Sequence, residues 1–381
     1  MHPLEYYLSA IVLNLFGALF FFIPVNTEKI VYISARENKP SGNLLSILRE
    51  YTALHPEYTH VSLFRTYSYS LIGKLSYLLY LVRAVYHLQT ARVVFLDNAF
   101  FPVHVVAHKK KTTVIQVWHA TGVFKKFGND VSPDERKVEN RFLHKRYDYV
   151  VADSEATRRV YAGAFGIPYA RTLPFGSPRT DFFFDSPAMA SSRNALHGRF
   201  PELKGKKVVL YAPTFRGFGK MKTSATNFDA AALGKALGPG FAIVYKPHSV
   251  SHENSKTGGY DIVLEPEENL NEFFTVTDAL VTDYSSALFE FAFLQKPIFK
   301  LCDDFEEYSA YNGLYIDYHR DIVGREVLSV DGIAKSILSP EEGLTLSPHE
   351  RLDFADFTKK YCGYSDGHST KRLVEFAESQ R

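Results

Sequence analysis

Residues 279–294 read ALVTDYSSALFEFAFL, and the order of residue types in this stretch decides the fold. Ala279–Thr282 is a short apolar and β-branched run, Asp283, Ser285 and Ser286 are helix N-cap types, and Ala287–Leu294 is apolar again at helical length. A strand therefore feeds straight into a helix. The same alternation recurs outward in both directions. Ile30–Ser34, Val61–Phe64, Val93–Leu96, Val114–Val117, Tyr149–Ala152, Val208–Tyr211, Ala242–Tyr245 and Ile298–Leu301 read as strands, with helical patterns of about 10–20 residues between them. Strands alternating with helices make parallel sheets, so the fold class is α/β, doubly wound and Rossmann-like.

Between the two groups of strands lies Phe184–Asn194, FDSPAMASSRN, small and polar with a proline, which is linker composition. It divides the chain into an apolar amino-terminal segment (1–24), a first domain (25–186) and a second domain (195–381). Two such domains are expected to face each other across a cleft, with ligands at strand carboxyl ends. The helical pattern over about Pro348–Gln380 is open to assignment to either domain, including packing back on the first.

The 381 residues suffice for about two domains, and 31 Phe and 24 Tyr supply core area that a disordered chain does not carry. With 44 Lys+Arg against 42 Asp+Glu, the surface is not that of a nucleic-acid coat. Cys302 and Cys362 stand alone, without a CxxC or Cys/His cluster, which argues against disulfides or structural zinc and for a reducing, cytoplasmic setting.

Leu8–Ile23 carries no charge, follows Tyr6 and Tyr7 and is stopped by Pro24. As a helix it reaches about 24 Å, short of the roughly 30 Å hydrocarbon core. The expectation is a monotopic helix in one leaflet with the tyrosines at headgroup level; a buried first helix and a marginal span are the alternatives. No secretory cleavage pattern follows. In the case of a span, Lys29, Arg36 and Lys39 follow closely and keep the body of the protein on the cytoplasmic side. Tyr67–Leu88 is a second candidate for the membrane, with a core helix as the default reading, and Lys109-Lys110-Lys111, Lys125-Lys126 and His144-Lys145-Arg146 are basic patches suited to anionic headgroups, to a pyrophosphate-linked lipid or to water.

An isolated Asp-x-Ser-Ser is usually just a capped helix, but two more strand ends carry donors. Tyr211-Ala212-Pro213-Thr214-Phe215-Arg216 follows one strand and Tyr245-Lys246-Pro247-His248 another. Thr214, Arg216, Lys246, His248, Ser285, Ser286 and the helix amino end are suited to diphosphate oxygens, with Asp283 in the turn and Glu290 placed for a ribose diol. In the first domain Val114–Val117 runs into Trp118-His119-Ala120-Thr121-Gly122, with Lys125 and Lys126 behind. His119 at a strand end has the chemistry of a general base, Thr121 and Gly122 let a substrate approach, and the lysines suit an anionic acceptor. Asp303-Asp304 and Glu306-Glu307 suit Mg²⁺ or simply water; no obligatory metal or cofactor is expected.

WHATGVFKKFG (118–128), YAPTFR (211–216), YKPHS (245–249), TDYSSALFEFAFLQKPI (282–298) with DDFEEY (303–308), and SDGHSTKR (365–372) together resemble the CDP-glycerol glycerophosphotransferase family of wall teichoic acid synthesis. The likeness runs from about Ile30 onward. With ISARENKPSGNLLSIL (33–48) it resembles the primase branch most. The resemblance implies a GT-B architecture, an amino-terminal acceptor and membrane-side domain and a carboxyl-terminal nucleotide-donor domain. It implies transfer of one sn-glycerol 3-phosphate from CDP-glycerol to the 4-hydroxyl of N-acetylmannosamine on an undecaprenyl-diphosphate-linked disaccharide, releasing CMP. It also implies work at the cytoplasmic leaflet, peripherally bound, alongside other enzymes of teichoic acid synthesis. His119 is then the base and His248 a ligand of the donor nucleotide.

One departure stands out. Asn312-Gly313 occupies the place where family members commonly carry Arg-Gly, leaving Arg325, Lys371 or Arg372 as substitute charges. The competing expectations are a glycerol- or ribitol-phosphate polymerase, a nucleotide-sugar glycosyltransferase of the same fold, and a non-catalytic membrane scaffold for lipid-linked intermediates.

Overall fold

Parallel strands with buried faces organise both halves of the chain, as the alternation requires. The computed structural model describes residues 3–67, 70–131, 144–216, 223–224, 228–248, 258–341 and 343–380. The chain divides into two units: Met1–Ala120 with Lys126–Asp181 and Gly363–Arg381, and Thr121–Lys125 with Phe182–Cys362.

In unit 1 the elements run α1 (Pro3–Phe20), β1 (Asn26–Ser34), α2 (Gly42–Leu54), β2 (Thr59–Phe64), α3 (Leu71–Thr90), β3 (Ala91–Leu96), α4 (Phe101–Val105), β4 (Thr113–Gln116), β5 (Tyr149–Val151), α5 (Glu155–Ala164) and β6 (Thr172–Leu173). The sheet order is β2-β1-β3-β4-β5-β6, every pairing parallel. From Lys29 to Ser34, β1 is buried on both faces, the mark of a strand covered by helices on each side. Ile30, Tyr32, Val93, Phe95 and Ile115 form one face of the core with Leu44, Ile47 and Tyr51 of α2.

α1 packs on α3 and α4. Leu13 and Tyr6 turn inward, and Gly17 is required there, since a Cβ would stand 2.6 Å from Val106 Cγ1. α3 is only half a core helix: Leu81, Ala84, Val85 and Leu88 are buried, whereas Ile72, Leu75 and Leu79 face outward. Among the described residues no helix is long and apolar enough to cross a membrane, so the marginal span is set aside.

Unit 2 begins with a correction. The stretch read as a linker is helix α6 (Ser186–Arg199), capped by the Asp185 carboxylate, which accepts Ala188 N–H at 2.9 Å, with Pro187 in the first turn. The division falls instead between Asp181 and Phe182. There follow β7 (Lys207–Tyr211), a two-residue antiparallel pair β8 (Phe215–Arg216) and β9 (Thr223–Ser224), α7 (Ala230–Leu237), β10 (Phe241–Tyr245), β11 (Ile262–Val263), α8 (Leu270–Phe273), β12 (Ala279–Thr282), α9 (Ala287–Phe291), β13 (Ile298–Leu301), α10 (Phe305–Asn312), α11 (Tyr318–Asp321), β14 (Arg325–Val327), α12 (Val330–Leu338) and α13 (Pro348–Cys362). The main sheet is parallel in the order β11-β10-β7-β12-β13-β14. Val209 and Tyr211, Ile243 and Tyr245, Ala279 and Val281, and Phe299 and Leu301, each pair two residues apart on its strand, meet Leu233 of α7 and Ile333 of α12.

The chain then returns to unit 1 as α14 (Ser369–Ser379), whose Leu373, Val374 and Ala377 are buried against the β1–β3 face and α2. The single helical pattern seen over 348–380 is thus two helices, one in each unit.

Candidate active site

His119 is aimed by a strained turn. Gln116, at the end of β4, accepts Trp118 N–H at 2.9 Å on its side-chain Oε1 and donates from Nε2 to Asn98 O at 3.0 Å. Trp118 then adopts φ +52, a left-handed conformation that costs a non-glycine residue about 1–2 kcal/mol. Two things hold it there. Its indole stacks on Phe127 at 4.7 Å and meets Phe165 edge-on at 5.1 Å. Asn43, buried at the start of α2, donates to Val117 O at 3.2 Å and Trp118 O at 3.0 Å, while its Oδ1 accepts from Ser177 Oγ at 2.9 Å and Arg179 N–H at 3.0 Å.

The turn sets the imidazole. Nδ1 lies 3.0 Å from Asp97 O, which only accepts, so the proton sits on Nδ1; Nε2 is left as acceptor and takes Arg36 Nη1 at 2.7 Å. A neutral ring with its lone pair on Nε2 is the form a general base needs. The Asp97 carboxyl is buried; burial pushes it up to about 6, against hydrogen bonds from Ser34 and Asn98 and the Arg36 charge. Arg36 and Asp97 stand just past β1 and β3, the neighbouring strands at which the winding of this sheet reverses. Ligands of open α/β sheets bind at such a place.

In unit 2 the strand ends β10, β7 and β12 are neighbours, with the reversal between β7 and β12. Asp283 ties the turns together rather than capping α9: its Oδ1 accepts Thr214 N–H at 2.8 Å, Thr214 Oγ1 at 2.9 Å and Tyr284 N–H at 2.6 Å. Thr214 is buried with it, so this pair shapes the crevice wall. Ser285 and Ser286 are half-buried at the start of α9, and Ser285 Oγ accepts Ala287 N–H at 3.2 Å. His248 is half-buried past β10. Lys246 is buried, its ammonium donating to Pro247 O at 3.0 Å and Pro266 O at 2.8 Å, which holds the loops at this edge. The backbone of Arg216 ends β8; its side chain lies outside the described residues.

Glu290 is buried and its Oε1 accepts the Thr121 hydroxyl at 2.8 Å, which anchors the loop after His119. The adjacent Gly122 has φ +70, and a Cβ there would meet the Phe289 ring at 2.5 Å. Phe124 O accepts Tyr315 N–H at 2.9 Å, and the half-buried Lys125 ammonium lies 5.1 Å over the Tyr308 ring. Lys126 is exposed.

The substitutes for an arginine at position 312 are committed elsewhere. Arg325 clamps Glu350 at 2.8 Å and reaches Gly343 O at 2.9 Å and Thr345 O at 3.0 Å. Arg372 holds both Asp366 oxygens, at 2.8 and 2.7 Å, and Phe175 O at 2.7 Å, and Lys371 faces Glu375 at 3.9 Å. Asn312 ends α10, its side chain outside the described residues. In the acidic segment, Asp304 accepts the Tyr284 hydroxyl at 2.8 Å. Among the described residues no group of three or more His, Cys, Asp or Glu side chains is arranged to hold a metal.

Sequence reading missed Asn43, Asp97 and the role of Arg36. For Arg36 and Asp97 the available signal was position, two and one residues past strands β1 and β3 at the ligand edge of a parallel sheet; Asn43, inside α2, carried no such signal.

Comparison with known proteins matches residues 15–379 to the family described as CDP-Glycerol:Poly(glycerophosphate) glycerophosphotransferase. The chain is 33% identical to the teichoic acid ribitol-phosphate primase of Bacillus spizizenii, over 98% of this chain and 97% of that protein. It is 29% identical to the teichoic acid poly(ribitol-phosphate) polymerase of the same organism, over 94% of this chain and 57% of that protein. The solved wall teichoic acid polymerase TagF superposes with a TM-score of 0.78 at 20% identity, over 98% of this chain and 97% of that one, a likeness of fold.

Proposed function

The chain belongs to the CDP-glycerol:poly(glycerophosphate) glycerophosphotransferase family, a transferase family of teichoic acid synthesis, and on that premise we propose that it acts as a primase. It moves one alditol phosphate from a CDP-alditol to a hydroxyl of a lipid-diphosphate-linked disaccharide and releases CMP. The observation that carries the primase reading is end-to-end similarity to a primase over 97% of that protein's length. CDP-glycerol is the donor that the family description names. Ribitol phosphate is the second reading, favoured because that full-length relative is a ribitol-phosphate primase.

The acceptor hydroxyl displaces the Arg36 guanidinium from His119 Nε2 and gives its proton to that nitrogen as its oxygen attacks the donor's β-phosphorus in line. A new P–O bond forms, the bond to the bridging oxygen breaks, and CMP leaves with that oxygen. Base help of this kind is worth about 10²–10⁴-fold, with the rest of the acceleration coming from positioning and charge neutralisation. Ser285, Ser286 and His248 are the donor-side groups, and the Thr214–Asp283 pair and Lys246 hold the loops that present them. In this reading no resident metal is obligatory, and the protein works at the cytoplasmic face of the membrane with α1 as its anchor.

The test is the mass of the product from purified protein, a water-soluble short-chain diphosphate-linked N-acetylmannosaminyl-N-acetylglucosamine acceptor, and CDP-glycerol or CDP-ribitol. A single increment with one donor supports the reading and names the alditol. A ladder makes the enzyme a polymerase, and no increment with either donor overturns transfer. His119→Ala is expected to lower turnover at least a hundredfold with donor affinity unchanged; a lost donor affinity instead removes it as the base.

A further inference from the structure

His119 is closed at the atom that a base needs open. Its Nδ1 proton is held on Asp97 O at 3.0 Å and the Trp118 indole lies 4.2 Å from the imidazole, so a reacting hydroxyl approaches in the ring plane, at Nε2. Arg36 Nη1 stands there, at 2.7 Å. A cationic donor binds a lone pair about twice as strongly as a neutral one, so a free water or alcohol does not dislodge it. An imidazole whose lone pair is held this way takes up no proton.

Arg36 stands on a firm base with a side chain free to move. Its backbone N–H donates to Ser34 Oγ at 3.3 Å, and the buried Ser34, which ends β1, also accepts Asn98 Nδ2 at 3.4 Å. The side chain is exposed. The opposite charge that acts on it most strongly is the Asp97 carboxylate, followed by Glu37, while Arg179 repels it. The guanidinium therefore has a second seat in the same unit, against a buried carboxylate bonded by Ser34 and Asn98. Moving there opens the base without stranding the cation. An acceptor gripped through its sugars and diphosphate can put part of its binding energy into that move, and water, which has no such contacts, cannot.

We infer that Arg36 decides between acceptor and water: it masks His119 Nε2 in the resting protein, swings to the Asp97 carboxyl when the acceptor seats, and so restrains hydrolysis of the CDP-alditol. The inference rests on the transferase reading, with His119 as base, and gives Arg36 a positioning role that acts through that base. The restrained side reaction is the transfer with water as nucleophile. Its oxygen bonds to the β-phosphorus, its proton goes to Nε2, the bond to the bridging oxygen breaks, and CMP and the alditol phosphate are released.

The experiment has one arm that needs no turnover. Diethyl pyrocarbonate acylates an imidazole nitrogen with an open lone pair, and peptide mass mapping gives the rate at His119 against the exposed His349 as internal reference. In Arg36→Met that relative rate is expected to rise about tenfold over wild type, the protection lost with a charge-assisted hydrogen bond. The second arm is CMP release from CDP-glycerol or CDP-ribitol, with and without the water-soluble acceptor. Without acceptor, Arg36→Met is expected to release CMP about tenfold faster than wild type, within the range that base help supplies. Damage to the fold does not produce such a gain. Arg36→Met/His119→Ala is expected to lose it, and Arg36→Lys, which keeps a cation, to bring hydrolysis back toward the wild-type rate. Asp97→Asn, which takes away the second seat, is expected to slow transfer about tenfold with His119 still protected. Equal acylation of His119 in wild type and Arg36→Met overturns the inference, as does wild-type CMP release that is as fast without acceptor as with it. A wild type that transfers nothing to the soluble acceptor from either donor overturns the transferase reading, and the acylation arm then still decides whether Arg36 covers Nε2.

Discussion

Asn43→Ala is expected to damage both stability and catalysis. The side chain is 4% exposed and makes four hydrogen bonds, donating to the carbonyls of Val117 and Trp118 and accepting from Ser177 and Arg179. Each buried polar group left unmet costs about 1–3 kcal/mol; Val117 and Ser177 lie in buried surroundings, so a total loss of about 2–5 kcal/mol follows. The two donated bonds also hold Trp118 at φ +52, against a conformational preference of about 1–2 kcal/mol. Without them the turn relaxes, and a displacement of about 1 Å at His119 lowers turnover on the order of a hundredfold. Asn43→Asp separates the effects: it keeps both acceptor roles but turns an oxygen toward two carbonyls, so its turnover is expected to be no better than alanine's. Urea denaturation gives the stability of each variant, and CMP release on the soluble acceptor gives the rate. An Asn43→Asp protein as active as wild type refutes the assigned role.

Two further outcomes follow from the geometry. Gly122→Ala forces a Cβ to 2.5 Å from the Phe289 ring at φ +70 and is expected to lower stability by about 2–5 kcal/mol; an unchanged urea midpoint contradicts it. Asp97 has its folded pKa pushed up to about 6 from 3.8 by burial, so its contribution is fully present below pH 3.8 and lost as pH rises through about 6. The stability of Asp97→Asn relative to wild type should therefore improve between pH 4 and pH 7, and a pH-independent difference in denaturation midpoint counts against it.

Where the chain carries β-branched runs, the strands stand where their residues place them; β7, β10 and β12 match the apolar stretches that identify them to within one residue, and β1 contains its stretch and starts four residues earlier, at Asn26. What escaped reading did so for physical reasons. β6 and β11 are two residues long and β14 three, too short for any alternation to show. α6 buries only Leu196, so it lacks the apolar stripe that marks a helix and looks like a linker. His119 and the strand-end serines were visible because catalytic residue types follow apolar strands. Asn43 was not, since its partners lie 74 and 134 positions away and only the folded sheet brings them together. Glu290 and Thr214 were legible as polar groups near the site, but their mutual ties to Thr121 and Asp283 are products of tertiary structure.

Unit 1 closes its core with α14, which contributes Leu373, Val374 and Ala377 to the face built on β1 and β3. During synthesis the six strands of this sheet leave the ribosome early, yet the apolar face that α14 covers stays open while all of unit 2 is being made. Domains ordinarily complete in order of emergence, amino-terminal first. Here the amino-terminal half waits for its last helix with an apolar face uncovered, which ties the completion of the sheet that carries His119 to residues translated some 250 positions after it.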